Sequence, residues 1–88
     1  MNVEFDDKKD ALNREKHGVS LADATYIDFD TALVREDDRQ DYGERRWLVA
    51  GMIGDRLHIM AFTMRGDTLR PISLRKANRR EVKTYEGR

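Results

Sequence analysis

Two runs of apolar residues, RRWLVAGMI (45–53) and RLHIMAFTM (56–64), decide the fold. They are separated by Gly54-Asp55, a dipeptide typical of a two-residue β-hairpin loop. Both runs place apolar side chains at odd and at even positions, which is typical of strands covered on both faces. The sequence therefore predicts two central antiparallel strands.

The segments on either side extend this hairpin into a larger sheet. Arg65-Gly66-Asp67 predicts a turn into a third strand, TLRPISL (68–74), and Thr31 to Arg35 predicts an outer strand. The last segment, RKANRREVKTY (75–85), predicts a helix with an apolar side. That side would face the sheet with Ala77, Val82 and Tyr85.

The N-terminal segment predicts a short edge strand at Val3 to Phe5 and two helices. Residues 6–16 have acidic residues near the start and basic ones near the end, as the helix dipole favours, and Gly18 is a suitable left-handed C′ residue. Ser20, with Asp23 three residues later, predicts the cap of a second helix that runs to about Tyr26 or Asp28. We therefore expect a single α+β domain over residues 1–88, with about four antiparallel strands, two N-terminal helices and one C-terminal helix.

The composition of the 88 residues limits the possible functions. There is no cysteine, which excludes a disulfide framework, a thiol nucleophile and a cysteine zinc site. The two histidines show no metal-binding spacing and there is no glycine-rich phosphate loop, so we expect neither metal nor cofactor. The N-terminus is polar and no apolar run reaches the roughly 20 residues of a membrane span. We therefore expect a cytoplasmic protein that makes no membrane contact.

The two halves of the sequence differ strongly in charge. Residues 1–44 contain 13 Asp and Glu against 6 Lys and Arg, a net charge of −7, whereas residues 45–88 contain 4 against 11, a net charge of +7. This asymmetry is typical of a protein with one basic surface for a polyanion and one acidic region. Alternatively, the two halves interleave in space and neutralise each other.

Three arginines in the basic half are candidates for anion binding. Arg65 lies at a predicted turn, Arg70 in the next strand and Arg75 at the predicted helix start. Guanidinium groups match the geometry of phosphate with paired hydrogen bonds. Residues five apart in a continuous strand point to opposite faces, so a turn or junction must break the alternation before the three can meet. From the residues alone, phosphate binding and a solvated rim both stay open.

Two further side chains are candidates for proton transfer. Histidine is the side chain best suited to proton transfer near neutral pH, which makes His58 a candidate, but its alternation with Met60 and Phe62 is typical of a core histidine. Glu81 on the final helix either acts as an acid or base or only pairs with neighbouring arginines. The residues themselves leave both alternatives open.

Three short motifs follow one another along the chain: N-x-x-KHGVS at 13–20, T-x-RGD at 63–67 and R-x-IS-x-R-x-A at 70–77. In this order they resemble the BrnT family of ribonuclease toxins from bacterial type II toxin–antitoxin systems. The likeness extends through nearly the whole chain. It implies a RelE-like fold, with helices packed on an antiparallel sheet, and an RNA-cleaving activity that inhibits translation.

The resemblance also implies a partner and roles for the candidate residues. The partner would be a BrnA-like ribbon-helix-helix antitoxin, which would neutralise the toxin in a 2:2 hetero-oligomer and bind operator DNA. Arg65, Arg70 and Arg75 would hold the scissile phosphate while the RNA 2′-hydroxyl attacks it without metal. Proton transfer would belong to His58 first and Glu81 second. Four cations would follow the RNA backbone: Lys76, Arg79, Arg80 and Lys83.

A second class of function stays open on the residues alone. The same arginines would suit a non-catalytic basic module that binds nucleic acid or an acidic protein, since no unambiguous general base is visible. A toxin relative that has lost activity and serves as a structural partner is a third possibility. RNA cleavage that is lost in Arg65→Ala, in a protein that still folds, separates an enzyme from both.

Overall fold

The computed structural model describes residues 2–88, which form one five-stranded sheet with helices on its two faces. The strands are β1 (Asn2–Val3), β2 (Asp28–Glu36), β3 (Trp47–Ile53), β4 (Arg56–Arg65) and β5 (Thr68–Lys76). Their order across the sheet is β1-β5-β4-β3-β2. The pairs are antiparallel except β1 with β5, which is parallel. The α+β class is confirmed, but the expected four antiparallel strands are five strands in a mixed sheet.

The two apolar runs form the centre of the sheet, as predicted. The two-residue loop Gly54-Asp55 joins β3 to β4, and Ile53 pairs directly with Arg56. Gly54 has a φ of +60°, the left-handed value that the first position of a type II′ turn requires. The outer strand is confirmed as β2 at one edge, and it is longer than the predicted Thr31 to Arg35.

The two N-terminal helices begin and end close to the predicted residues. α1 (Asp7–His17) is capped by Asp6 and ends at Gly18, which has a left-handed φ of 72°. The predicted second helix is a 3-10 helix at Leu21–Tyr26, with Ser20 as its N-cap. At six residues it is longer than most 3-10 helices.

The C-terminal helix starts later than predicted. β5 continues to Lys76, and α2 (Arg79–Glu86) starts only after Asn78, which forms a capping box with Glu81. The expectation that Arg75 begins a helix is therefore wrong: Arg75 is a strand residue. No helix among residues 2–88 is long and apolar enough to cross a membrane.

Each face of the sheet carries its own apolar core. The larger core lies under α1 and the 3-10 helix, and its most deeply buried side chains are Leu21, Val49, Met60, Leu69 and Leu74. A smaller core lies under α2 and contains Leu57, Ala77 and Tyr85, with Val82 packed against it. The prediction that Ala77, Val82 and Tyr85 face the sheet is confirmed. Because α2 covers only one end of its face, the middle of that face is left open.

Asn13 attaches α1 to the outer edge of β5. Its amide nitrogen donates to the carbonyl oxygens of Val19 and Leu74, both at 2.8 Å, and its amide oxygen accepts from the backbone N–H of Leu74 at 3.1 Å. Asn13 is only 6% exposed. The side chain thus takes the place of a neighbouring strand where the outer edge of β5 would otherwise be unpaired.

We expect Asn13→Ala to lower the free energy of unfolding by roughly 2–4 kcal/mol, because it removes three hydrogen bonds and leaves buried backbone groups unpaired. Urea denaturation measures this change. The matched control is Asn78→Ala, which removes only an exposed helix cap and should cost about 1 kcal/mol. If Asn13→Ala lowers the free energy of unfolding no more than Asn78→Ala does, the proposed role of the Asn13 hydrogen bonds is contradicted.

Candidate functional site

A β-bulge brings the second and third candidate arginines to one face of the sheet. Thr63 pairs with Arg70 and Ile59 pairs with Arg75, so five steps along β5 correspond to four along β4. The pairing shifts by one residue between these two pairs. The extra residue resets the alternation of β5, as bulges do, and Arg75 therefore faces the same side as Arg70.

Arg65 lies on this face as well. We call this side of the sheet the arginine face and define it by Arg65, Arg70 and Arg75. Arg65 pairs with Thr68 and is the diagonal neighbour of Arg70, a relation that separates Cα atoms by about 7–8 Å. Arg75 lies four β4 positions beyond Arg70, roughly 13 Å at 3.3 Å per residue. Arg65 and Arg70 can therefore share one phosphate, whereas Arg75 is placed to hold the next one along a chain.

Two concave sites on the protein separate the three arginines in the same way. A small cavity of about 80 Å³ is lined by Arg65 and Arg70 but not by Arg75. A larger cleft of about 610 Å³ is lined by Arg75. The floor of this cleft is apolar and consists of Leu48, Ala50, Ile59 and Ala61. Its rim carries Arg35, Arg39, Arg80 and Glu81.

The three arginines differ in their ion pairs. Among residues 2–88, Arg65 has no carboxylate within ion-pair distance. Arg70 donates one hydrogen bond to Glu4 at 3.0 Å. Arg75 donates two parallel bonds to Glu81, both at 2.8 Å. A bound phosphate would therefore have to share Arg70 and Arg75 with carboxylates of the protein itself.

Glu81 is held by both of its oxygen atoms. Besides the two bonds from Arg75, it accepts the backbone N–H of Asn78 at 2.9 Å within the capping box. The hydrogen bonds from Arg75 lower the pKa of Glu81 below its usual value, although partial burial opposes this shift. The side chain is therefore ionised at neutral pH and can accept a proton but not donate one.

The structure does not bring His58 together with the arginines. It alternates with Ile59, so it points away from the arginine face and toward the larger core, and it is 6% exposed. Its Nδ1 donates a hydrogen bond to the carbonyl oxygen of Arg56 at 3.0 Å. This placement agrees with the core alternative from the sequence.

The four cations predicted to follow RNA are all exposed, but only one lines the larger cleft. Arg80 on α2 lies at its rim. Arg79 and Lys83 lie on the same helix outside the cleft, and Lys76 pairs with His58 at the end of β5 and so points away from the arginine face. Arg80 is thus the member of this set closest to the site.

The fold and the motifs agree with comparisons to known proteins. A family model described as "Ribonuclease toxin, BrnT, of type II toxin-antitoxin system" matches residues 5–81. This chain belongs to the BrnT family. The crystal structure of the Brucella abortus ribonuclease toxin BrnT is similar, with a TM-score of 0.72 and 26% identity over 90% of this chain and 99% of that chain. No curated protein sequence gave a significant match.

Membership of the BrnT family confirms the resemblance read from the three motifs. The chain is a ribonuclease toxin of a type II toxin–antitoxin system, which implies an antitoxin as its partner. The motifs also meet in space, since Asn13 of the first motif binds Leu74 of the third. The RelE-like description of the fold stays a prediction.

The BrnT-family chain also carries site arginines that sequence reasoning missed. Arg35 and Arg39 reach the rim of the larger cleft, and Arg46 lines the small cavity beside Arg65 and Arg70. The signal for Arg46 was present in the sequence. Arg46 lies two residues before Leu48, and residues two apart in a strand point to the same face. Arg46 is therefore expected on the face where the Leu48 side chain forms the floor of the cleft.

A buried carboxylate holds the loop between β2 and β3 in place. Asp37 is 4% exposed and accepts bonds from Arg39 Nε at 2.7 Å, Arg39 Nη2 at 2.9 Å and the Tyr42 hydroxyl at 3.0 Å. The bonds from Arg39 hold the pKa of Asp37 well below its usual range. The cluster thereby keeps Arg39 at the rim of the cleft.

We expect Asp37→Asn to destabilise the protein at neutral pH and to have a smaller effect in acid. The folded-state pKa of Asp37 is depressed, so its ion pair adds its full stability above the unfolded pKa of about 3.9 and loses it progressively as the pH falls from that value through the folded-state pKa. Urea denaturation of both proteins at pH 7 and near pH 2.5 measures the difference. The exposed neighbour Asp38→Asn is the control and should change little at either pH. A stability difference for Asp37→Asn that is independent of pH would contradict this account.

Proposed function

We propose that this BrnT-family toxin cuts RNA without metal, at a phosphate placed beside Arg75 and Glu81. The observation that carries the proposal is the Arg75–Glu81 pair, which sets a guanidinium group and a carboxylate side by side at the rim of the larger cleft. RNA supplies its own nucleophile, since its 2′-hydroxyl can attack the adjacent phosphorus. The protein then has to position the chain, take a proton and stabilise negative charge.

Arg75 would stabilise the charge that develops on the phosphate oxygens during attack. Guanidinium groups bind such oxygens through two parallel hydrogen bonds, the same geometry in which Arg75 now holds Glu81. Arg80 lines the same cleft and would add a second positive charge. Arg65 and Arg70, on the same face, would hold the neighbouring phosphate and fix the register of the RNA.

Glu81 would accept the proton of the attacking hydroxyl. We assign this role to Glu81 ahead of His58 because Glu81 borders the cleft, whereas His58 points to the other side of the sheet. Arg75 is what lowers the pKa of Glu81. When a phosphate takes the N–H groups of Arg75, that pKa rises toward its usual value and Glu81 becomes a stronger base.

The remaining contacts would be electrostatic. Arg79 and Lys83 lie on the helix of Glu81 and would follow the RNA backbone at a greater distance, giving an affinity that falls as salt rises. Lys76 points to the other face of the sheet and would add only to the overall positive field. Phosphate contacts carry no sequence information, so they position the RNA without selecting a cleavage site. Cutting of messenger RNA in the cytoplasm would inhibit translation.

We further propose that the antitoxin is a BrnA-like ribbon-helix-helix protein. It would bind two toxin chains as a dimer, in a 2:2 complex, and carry them to operator DNA. The proposal is supported by membership of a type II family and by the net charge of +7 on residues 45–88, which suits an acidic antitoxin surface as well as RNA.

We expect Glu81→Gln to abolish the toxicity of this chain. Gln keeps the helix cap and one bond to Arg75 but does not accept a proton at neutral pH, so cleavage should fall roughly 100-fold or more. Growth and the integrity of total RNA, followed after induction in a bacterial host without antitoxin, measure the effect. The matched control is Glu86→Gln on the same helix, which should arrest growth like the parent chain.

Further outcomes of the same experiment distinguish the alternatives. Cleavage that survives Glu81→Gln but is lost in a folded His58→Ala protein would move the proton transfer to His58. Normal growth and intact RNA with abundant parent protein would contradict the ribonuclease and favour a non-catalytic binding module.

Arg65→Ala should weaken cleavage chiefly at low RNA concentration, because it removes a binding contact.

The proposed assembly predicts a mass. Native mass spectrometry of the toxin purified together with its antitoxin should show two copies of each chain, and addition of operator DNA should shift the whole complex. A 1:1 complex that does not change with concentration would contradict the 2:2 arrangement.

A further inference from the structure

We propose that Arg46 completes a phosphate-binding subsite with Arg65 and Arg70 in the small cavity beside the cleavage site. This inference rests on the proposed function and deepens it, since the bound group would be an RNA phosphate next to the scissile one. The three arginines line one cavity of about 80 Å³. A water needs about 10–15 Å³ by this measure, so the cavity accommodates one phosphate group.

The position of Arg46 follows from the strand register. Trp47 pairs with Phe62, so Arg46, the residue before Trp47, lies opposite Thr63 when the antiparallel register is extended by one position. Thr63 in turn pairs with Arg70. Arg46, Thr63 and Arg70 therefore form one row across the arginine face. The Thr63 hydroxyl is occupied, as it donates to the Arg45 carbonyl oxygen at 2.7 Å, so the donors left in this row are the two guanidinium groups.

Arg46 has an unsatisfied donor that is held in place. Its Nε is fully buried and has no hydrogen-bond partner among residues 2–88. The nearest carboxylate in ion-pair range, on Glu44, is 3.8 Å from it, beyond hydrogen-bond distance. The guanidinium group stacks on the ring of Tyr42, with 4.1 Å between its Cζ atom and the ring centroid. A buried N–H without a partner is costly, and an anion in the cavity would supply one once the guanidinium group turns its Nε–H toward it.

The cavity also contains carboxylates, and these explain why the site would take a phosphate within a chain in preference to a free ion. Its lining includes Lys9 on the positive side and Glu4, Asp6 and Glu44 on the negative side. Asp6 is engaged in capping α1, through the backbone N–H of Lys8. Glu4 binds Arg70, but 65% of its side chain is exposed, so it can turn outward when a phosphate enters. Polyanion attraction over the whole arginine face offsets this competition.

The direct test is the arginine Nε–H signals in the NMR spectrum of the ¹⁵N-labelled toxin. The probe is a short RNA with 2′-O-methyl groups, which prevent attack by the 2′-oxygen, and inorganic phosphate is titrated separately. We expect the signals of Arg46 and Arg65 to shift together with one saturation curve, while that of Arg45, which binds Glu36 on the surface, stays in place. An Arg46 signal that stays unchanged while the RNA binds would overturn the proposal.

Substitution gives an independent measure. Arg46→Gln should weaken binding of the same RNA roughly tenfold and reduce the slope of log affinity against log salt by about 0.7, whereas Arg45→Gln should do neither. Equal effects of the two substitutions in folded proteins would contradict a specific subsite. If the toxin cleaves unmodified RNA but the Arg46 signal does not shift on RNA binding, the subsite is overturned and the proposed ribonuclease activity is not. If the Arg46 signal shifts but no RNA is cleaved, the subsite stands and the proposed ribonuclease activity is overturned.

Discussion

The contact between Asn13 and the backbone of Leu74 is the interaction on which the rest of the structure depends. β5 lies next to β4 on one side, but beyond Leu69 its other edge has no strand partner. The Asn13 amide pairs with that edge at Leu74, in the segment between Arg70 and Arg75. One buried side chain therefore fixes α1 on the sheet and holds the strand that carries two of the site arginines. One residue of this contact, Asn13, belongs to the family motif at residues 13–20, and the other, Leu74, belongs to the motif at residues 70–77.

The second constraint is the bulge in β5. Without the extra residue, Arg70 and Arg75 would point to opposite faces, and the basic residues of the chain could not form one surface. The bulge also spaces the two arginines roughly 13 Å apart, so they suit successive positions of an extended polyanion better than a single ion. Glu4 and Glu81 occupy these arginines in the free protein. In the proposed mechanism, binding of RNA and release of the Glu81 carboxylate would be coupled, because both involve the same Arg75 nitrogens.

Much of the fold was predictable because local signals agreed with the tertiary structure. Apolar runs separated by Gly54-Asp55 predicted the central hairpin, and Gly18 predicted the end of α1. The short β1 pairs in parallel with β5, a long-range contact for which two residues carry no pattern. The end of β5 was missed because RKANRR suits an exposed strand end as well as a helix start. There the Asn78–Glu81 capping box, visible in the sequence, is what moves the helix start to Arg79.

The candidate site was predictable in its residue types and less so in its geometry. Arg65, Arg70 and Arg75 do share a face, but the bulge that achieves this leaves no mark in the spacing of the residues. His58 lies two and four residues before Met60 and Phe62 in β4, so strand alternation already indicated that its side chain points into the same core. Arg46 was overlooked because it stands next to Arg45 in a charged pair, although strand alternation already places the two on opposite faces, and the register with β4 agrees with this.

The central claim, metal-independent attack by the RNA 2′-hydroxyl at the Arg75–Glu81 pair, is tested most directly by the chemistry of the cut ends. Purified toxin is incubated with a defined RNA in excess EDTA, and the 3′ termini of the fragments are identified by mass spectrometry. The account predicts 2′,3′-cyclic phosphate ends and 5′-hydroxyl ends, and no cleavage of the 2′-O-methyl RNA. Fragments with 3′-hydroxyl and 5′-phosphate ends, or cleavage only after a divalent metal is added back, would contradict it.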